Sequence, residues 1–466
     1  MLNLIKNSSI SKLTIWFLLL IMLFAFFNLK RWNHAETKQK IIMQDITWYY
    51  CYLPAVFIHH DISLDFIKTK SDQIYVENHQ YWYQIAPNGG KVNKFTMGLA
   101  ILYSPFFIVA HLTAPMFGYD ANGFSKPYEF LLALSSLFYL FLGLIYLRKL
   151  ILLFYSETIT SITLICVLLG TNLFYYATTE PAMSHAYTFS LVAIFLYHFI
   201  KFYNTPNVKK AFLIGFLFGL IVLIRPVNII LVIIPLLYNI YSKQTLINKI
   251  NYFIQHRKLL LIIATTAFLV FLPQLIYWKC ITGNWFFYSY MNEKFFFNNP
   301  HVWLGLFGFR KGWLIYTPIM FFALFGIISL YKKQKQLFFP VLFFFFINIY
   351  VIFSWWTWWY GGSFSSRPMI DFYALMAIPM ATFFNFILTK SKIIITALLV
   401  LLTLLISLNQ FQTLQKRKGI IHWDAMSWAA YKLVFFKTDL TQEDIMDYDK
   451  LLIRPDYDKA KIGEDE

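Results

Sequence analysis

The chain has 466 residues, 59% hydrophobic, 21% aromatic and 14% charged, with 40 Lys plus Arg against 23 Asp plus Glu and a formal net charge of +17. With a mean hydropathy of +0.56, such a chain would aggregate as a soluble domain but suits a lipid solvent. Nucleic acid is also excluded as a partner, because the basic residues fall in short clusters between apolar runs and not on one soluble face.

From the N-terminus onward, apolar runs able to cross about 30 Å of hydrocarbon as helices fall near 12–29, 95–117, 128–147, 157–177, 186–202, 211–224, 227–241, 259–279, 313–331, 337–354, 370–388 and 393–411. The expected fold is therefore an all-α integral membrane bundle of about 11–13 crossings. The first run has basic flanks, Lys6 and Lys12 before it and Lys30 and Arg31 after it, and no small-residue cleavage site. It reads as a retained anchor, 1–29.

Basic clusters mark cytoplasmic loops: Lys201 with Lys209 and Lys210, Lys243 through Lys258, Lys332 with Lys333 and Lys335, and Lys390 with Lys392. The loop 30–94, the connections 280–311 and 355–369, and the tail 412–466 then lie outside, around a polytopic domain spanning 95–411. Parity creates one conflict. Two full crossings between the first loop and Arg148-Lys149 would put that basic pair on the outer side, so 95–117, with Pro105 and Pro115, is expected to be short, broken or re-entrant. Cys51, Cys166 and Cys280 are isolated, and neither a disulfide framework nor zinc spacing follows from them.

In the first loop, Asp45, Trp48, Tyr49, Tyr52 and Val56 fall at helical spacings of three and four, predicting a short helix with an acid and three aromatics on one side, bent or ended by Pro54. Acids are scarce in this chain, and one held at a membrane surface among rings is a candidate for chemistry. The bland alternative is a solvated acid on an aromatic-belt helix. Lys94 precedes the second run, where it either snorkels to the interface or binds a lipid phosphate.

The connection Thr178-Thr179-Glu180-Pro181-Ala182-Met183-Ser184-His185 brings Glu180 and His185 to the outer end of a span. It reads either as a helix start, with Pro181 in the first position and Glu180 near the N-terminal dipole, or as part of a site. Arg225-Pro226 interrupts the apolar stretch 211–241 at an outer hairpin tip, where a buried Arg needs an anionic ligand or a carboxylate. Arg310-Lys311-Gly312-Trp313 ends one outer loop, and Trp355 to Arg367, reading WWTWWYGGSFSSR, forms the next. Trp358 and its neighbours suit an apolar sugar face, Arg310, Lys311 and Arg367 suit phosphate, and Gly361-Gly362 suits a turn that brings backbone near a ligand. Interfacial anchoring by the tryptophans is the plainer reading.

No P-loop, GxSxG elbow or HExxH helix is present, so nucleotide hydrolysis and metalloprotease chemistry lack support. His59-His60-Asp61 is a poor metal site, since adjacent side chains on a helix diverge. The tail carries Trp423, Trp428, Tyr431 and Phe435 in a half suited to lying on the membrane, followed after Asp456 by an acidic end expected to be loose.

The order of these features resembles the GT-C superfamily of polytopic glycosyltransferases, close to the dolichyl-phosphate-mannose protein mannosyltransferases and the lipid A aminoarabinose transferases. The resemblance runs from about residue 12 to about residue 370 and rests on pattern more than on a strict signature. It implies a catalytic acid in the first extracytoplasmic loop, here Asp45, and a second acid after Thr-x, here Glu180. It also implies a donor-phosphate Lys before the second span, here Lys94, although Phe95-Thr96 stands where aminoarabinose transferases have two prolines and Glu180 stands where Asp is usual.

The implied activity is transfer, with inversion, of a sugar from a polyprenyl-phosphate donor to an acceptor hydroxyl on a glycan, glycolipid or protein, at the periplasmic side of the cell inner membrane. Lys94, His185, Arg225, Arg310, Lys311, Trp358 and Arg367 would bind substrates. No cofactor is required, and a divalent metal is not excluded. Two other classes fit a polytopic chain. A lipid-linked oligosaccharide polymerase or ligase would not need an acid directly after the first span, and a transporter would place ionisable residues in mid-span.

Overall fold

The computed structural model describes residues 9–33, 37, 40–67 and 83–464; Lys6 and the middle of the first loop lie outside the described residues. The described residues are mostly helical, and each of the twelve apolar stretches forms helix. In chain order the first elements are α1 (Ile10–Leu29), α2 (Asp45–Tyr50), α3 (Tyr52–Phe57), a two-stranded hairpin of β1 (Gln84–Ile85) and β2 (Lys91–Val92), α4 (Gly98–Thr113), α5 (Lys126–Ile151), α6 (Glu157–Leu169) and α7 (Leu173–Thr178). The centre of the chain gives α8 (Ser184–Asn204), α9 (Val208–Ile224), α10 (Ile233–Leu237), α11 (Lys243–Gln255) and α12 (Arg257–Thr282). After it come α13 (Val302–Phe307), α14 (Trp313–Tyr316), α15 (Phe321–Lys333), α16 (Lys335–Phe353), α17 (Tyr373–Ile387), α18 (Lys392–Arg417) and three tail helices, α19 (Trp428–Val434), α20 (Gln442–Leu451) and α21 (Tyr457–Ile462).

Among the described residues seven helices are long and apolar enough to cross a membrane: α1, α5, α8, α12, α16, the segment Arg367–Ile387 that contains α17, and α18. This is the pattern of a multi-pass membrane protein. The other five stretches are shorter or broken. Gly170-Thr171-Asn172 separates α6 from α7, and Pro318 separates α14 from the helix that follows it. Pro226 opens a 3-10 turn before α10, because a proline ring cannot donate to the preceding helix and pushes the residue before it, Arg225, out of helical geometry.

α8 is the axis of the bundle and is buried on nearly every side. Small residues let neighbours approach it: a Cβ on Gly143 of α5 would lie 2.8 Å from Ser190 Cα of α8, the close small-residue packing typical of helices in lipid. α12 and α18 show the opposite character, with few residues covered by the rest of the chain.

The parity conflict has a structural resolution. α1 and α5 are antiparallel neighbours: Arg148 donates to Ser9 and Ser11 at the start of α1, whereas Glu129 at the start of α5 accepts from Ile41 and Ile42 beyond its end. The segment between them begins and ends on the same pair of short helices. Tyr52 donates to the Phe95 carbonyl just before α4, and Tyr50 to the Gly123 carbonyl just after it. With 16 residues, α4 is about 24 Å long, shorter than the hydrocarbon layer, and its two ends return the chain to the same side of the bundle.

Two expectations are corrected. The first-loop helix breaks at Cys51 into α2 and α3, three residues before Pro54, because Pro54 has no N–H to offer the Tyr50 carbonyl. The acidic end of the tail is docked, not loose. Tyr457 donates to Asp424 at 2.7 Å, Ala460 packs with Trp358 and Trp359, and Gly463 abuts Phe296. Alternating charge masks the apolar face of α21 in the sequence.

Candidate functional site

Where α2, the segment before α4, the start of α8, the Arg225 break, the end of α18 and the outer loops meet, they line an open cavity of about 1070 Å³. Six of the nine residues expected at the site line it: Asp45, Lys94, Glu180, His185, Arg225 and Arg367. Asp45 is the first residue of α2, and its position is set from behind. The carboxylate of Glu129 accepts the backbone N–H groups of Ile41 at 2.6 Å and Ile42 at 3.2 Å, fixing the chain four residues upstream. Asp45 then forms an ion pair with Arg367, Nη2 to Oδ2 2.7 Å, and stays about one-third exposed to the cavity. Tyr49, one turn along, stacks on Phe95 with ring centroids 4.5 Å apart, and at half-buried Tyr290 desolvation raises the phenol above the ordinary range, with Tyr49, Asp45 and Glu293 adding to it and Arg225 opposing.

A second cluster centres on a residue the sequence reading did not single out, Asp371. It is fully buried. Its Oδ1 lies 2.8 Å from His185 Nδ1 and its Oδ2 accepts from Arg225 at 2.9 Å. The expected anionic partner of Arg225 thus exists and belongs to the protein. Burial opposes the Arg225 charge, and Asp371 together with Tyr49, Tyr360 and Tyr290 more than offsets it, so the guanidinium is held even more firmly protonated than usual. Asp371 had a legible signal: an acid one residue inside an apolar run, a few positions after Arg367, is rare unless paired.

Lys94 pairs with Glu293, whose other oxygen accepts from the Trp356 indole at 3.1 Å. Glu180 accepts from Tyr175 at 2.7 Å. Helix α8 starts at Ser184, not at Pro181, and Ala182 sits in the left-handed region at φ 72° with its carbonyl held by Tyr103. The Thr179-Glu180-Pro181 loop therefore faces the cavity and does not cap a helix. Gly361, at φ 58°, and Gly362 also line it, as the turn reading anticipated.

Arg310, Lys311 and Trp358 do not line the cavity. The Lys311 ammonium donates to the carbonyls of Ser363 and Trp423, tying the outer loop to the tail. Arg310 donates to the Ile453 carbonyl at 3.1 Å and lies over the Trp359 and Trp358 rings at 5.2 and 5.9 Å. Trp358 is buried in that packing. These three hold the tail in place, because backbone carbonyls and indole faces nearby satisfy them before any ligand could. His59 stacks on Phe66 and Asp61 caps the turn at Ser63 and Phe66. Among the described residues no group of three or more His, Cys, Asp or Glu could hold a metal ion.

The cavity wall also carries Arg31, Lys40, Lys416 and Arg417, so among the described residues seven cations face it against the carboxylates Asp45, Glu180 and Glu293. Tryptophans 355 and 356 and tyrosines 49, 290 and 360 supply its flat apolar surface. Such a site can neutralise phosphate, stack on sugar faces and offer a carboxylate to a hydroxyl proton. No model of a known protein family matches the chain, and no curated protein matches it.

Proposed function

We propose that the protein is a membrane glycosyltransferase of the GT-C kind, which moves a sugar from a polyprenyl-phosphate donor to an acceptor hydroxyl on the outer face of the cell inner membrane. The observation that carries this reading is the large cavity at the ends of the membrane-type helices, lined by an excess of cations around one partly exposed carboxylate, Asp45. A polyprenyl-phosphate sugar needs that combination: neutralisation of a departing phosphate and a base for the incoming hydroxyl.

In this reading the acceptor oxygen forms a bond to the anomeric carbon while the bond from that carbon to the phosphate oxygen breaks with its electron pair. The polyprenyl phosphate leaves, and the hydroxyl proton passes to Asp45. Arg367 has two tasks in sequence. Without donor it pairs with Asp45; an arriving phosphate competes for the guanidinium and loosens its hold, which frees a carboxylate oxygen to take the hydroxyl proton when a substrate is present. Arg225 and Lys94 stabilise the charge that develops on the leaving phosphate, with Asp371 and His185 orienting Arg225.

Purified Asp45→Asn protein, supplied with a defined decaprenyl-phosphate sugar and an acceptor, should fold normally and lose transfer by about a hundredfold or more. Transfer at the parental rate would remove Asp45 from the chemistry.

A further inference from the structure

α11 sits at the end of the bundle opposite the cavity. Helix α8 has 21 residues and is about 31 Å long. His185 in its first turn lines the cavity, whereas Tyr203 in its last turn stacks on Tyr252 of α11 with ring centroids 4.6 Å apart. A capping box between Ser242 and Thr245 starts α11, and His256 ends it immediately before the membrane-type helix α12.

At about 100° per residue, α11 divides into three faces. One is turned to the protein. Lys249 is buried there, and its ammonium has no hydrogen-bond partner among the described residues. It lies 4.6 Å from the centre of the Tyr203 ring and 4.8 Å from that of Phe253, whose electron-rich faces attract the charge and fix the rotation of the helix. A second face, Gln244, Asn248, Asn251 and Gln255, is polar and exposed. The third, Leu246, Ile247, Ile250 and Ile254, is apolar and yet 43–56% exposed. The charges nearby are of one sign. Glu293, at the cavity, is the only acid between Glu180 and Asp371, so the far end of these segments carries basic side chains alone. Lys209, Arg257, Lys258, Lys332 and Lys333 are all exposed there, and the Asn239 N–H, bonded to the Gln336 carbonyl at 3.0 Å, brings the joint after α15 up to the chain that enters α11.

We propose that α11 is an interfacial helix whose apolar stripe is immersed in the leaflet opposite the cavity, with its polar face in water and the flanking cations on anionic phospholipid headgroups. Lipid is the occupant because α12, which follows directly, is a membrane-type helix with few residues covered by the protein, and the stripe continues that lipid-facing surface. The assignment is independent of the transferase reading.

The test uses full-length protein carrying Cys280→Ser, which leaves only the buried Cys51 and Cys166, with one bimane-labelled cysteine at a time in phosphatidylcholine nanodiscs. Nitroxide on a shallow acyl carbon should quench Ile250→Cys and Ile254→Cys, whereas aqueous iodide should quench Asn248→Cys and Asn251→Cys at least about threefold more strongly than the first two. Iodide reaching all four positions equally overturns the interfacial placement. Shielding of Ile250→Cys from both quenchers shows that protein covers the stripe and overturns lipid as its occupant. Nitroxide-labelled phosphatidylglycerol should quench Ile250→Cys severalfold more than labelled phosphatidylcholine at equal content, and Arg257→Gln with Lys258→Gln should together lower that preference about fivefold. Equal quenching by the two lipids overturns the headgroup assignment.

Discussion

Arg225 and Arg367 on one side, and Arg310 and Lys311 on the other, read alike in the sequence: basic residues at outer ends of apolar segments, next to Pro or Gly. In the fold the first pair meets carboxylates, Asp371 and Asp45, and keeps a face open to the cavity. The second pair meets carbonyl oxygens and indole rings and lies outside that cavity. A guanidinium paired with a carboxylate beside open space can exchange that partner for a phosphate. A buried ammonium held by two carbonyls has neither room nor reason to do so. The partner, more than the cation, decides between ligand binding and architecture.

The sharpest way to break this contrast is Asp371→Asn. It leaves the part-buried Arg225 without its counter-charge, and the expected loss is about 1–3 kcal/mol, read as a lower Tm by tryptophan fluorescence in detergent. A variant as stable as the parent would mean that Asp371 does not anchor the donor side. Lys311→Met should cost about 1–3 kcal/mol through its two lost carbonyl bonds. It should also expose the chain after Trp423 to limited proteolysis while leaving transfer per folded molecule nearly intact. If transfer collapses without tail release, Lys311 belongs to the site after all. Arg367→Gln should act in the reverse manner: stability changes by less than about 1 kcal/mol, since the pair is part-exposed, but donor KM rises about tenfold.

The smallest effect is a pH dependence at Lys311. Burial, with Lys416 adding to it, pushes this ammonium well below the usual lysine range. The folded protein then binds fewer protons here than the unfolded chain, so the contribution of Lys311 to stability is complete above the ordinary lysine pKa of about 10.4. It is lost as pH falls through the lowered folded value. The stability of the parent relative to Lys311→Met should therefore shrink as pH is lowered from about 10. A difference that stays flat would show that Lys311 keeps its proton in the fold.

Composition and apolar run lengths determined the membrane class and the twelve helical stretches, because the demand that backbone polar groups be satisfied inside lipid is local to each segment. Local chemistry also exposed Asp45, Lys94, Glu180, His185, Arg225 and Arg367, since scarce ionisable groups at span ends stand out against an apolar background. The tertiary structure alone decided their partners. Asp45 meets Arg367 across 322 positions and Arg225 meets Asp371 across 146, and no spacing rule reaches so far. It decided as well that α4 returns to the side it came from, that α21 docks on tryptophans, and that Lys416 faces the cavity. Each of these depends on which surfaces meet when helices distant in sequence pack, and packing partners are not a property of any single segment.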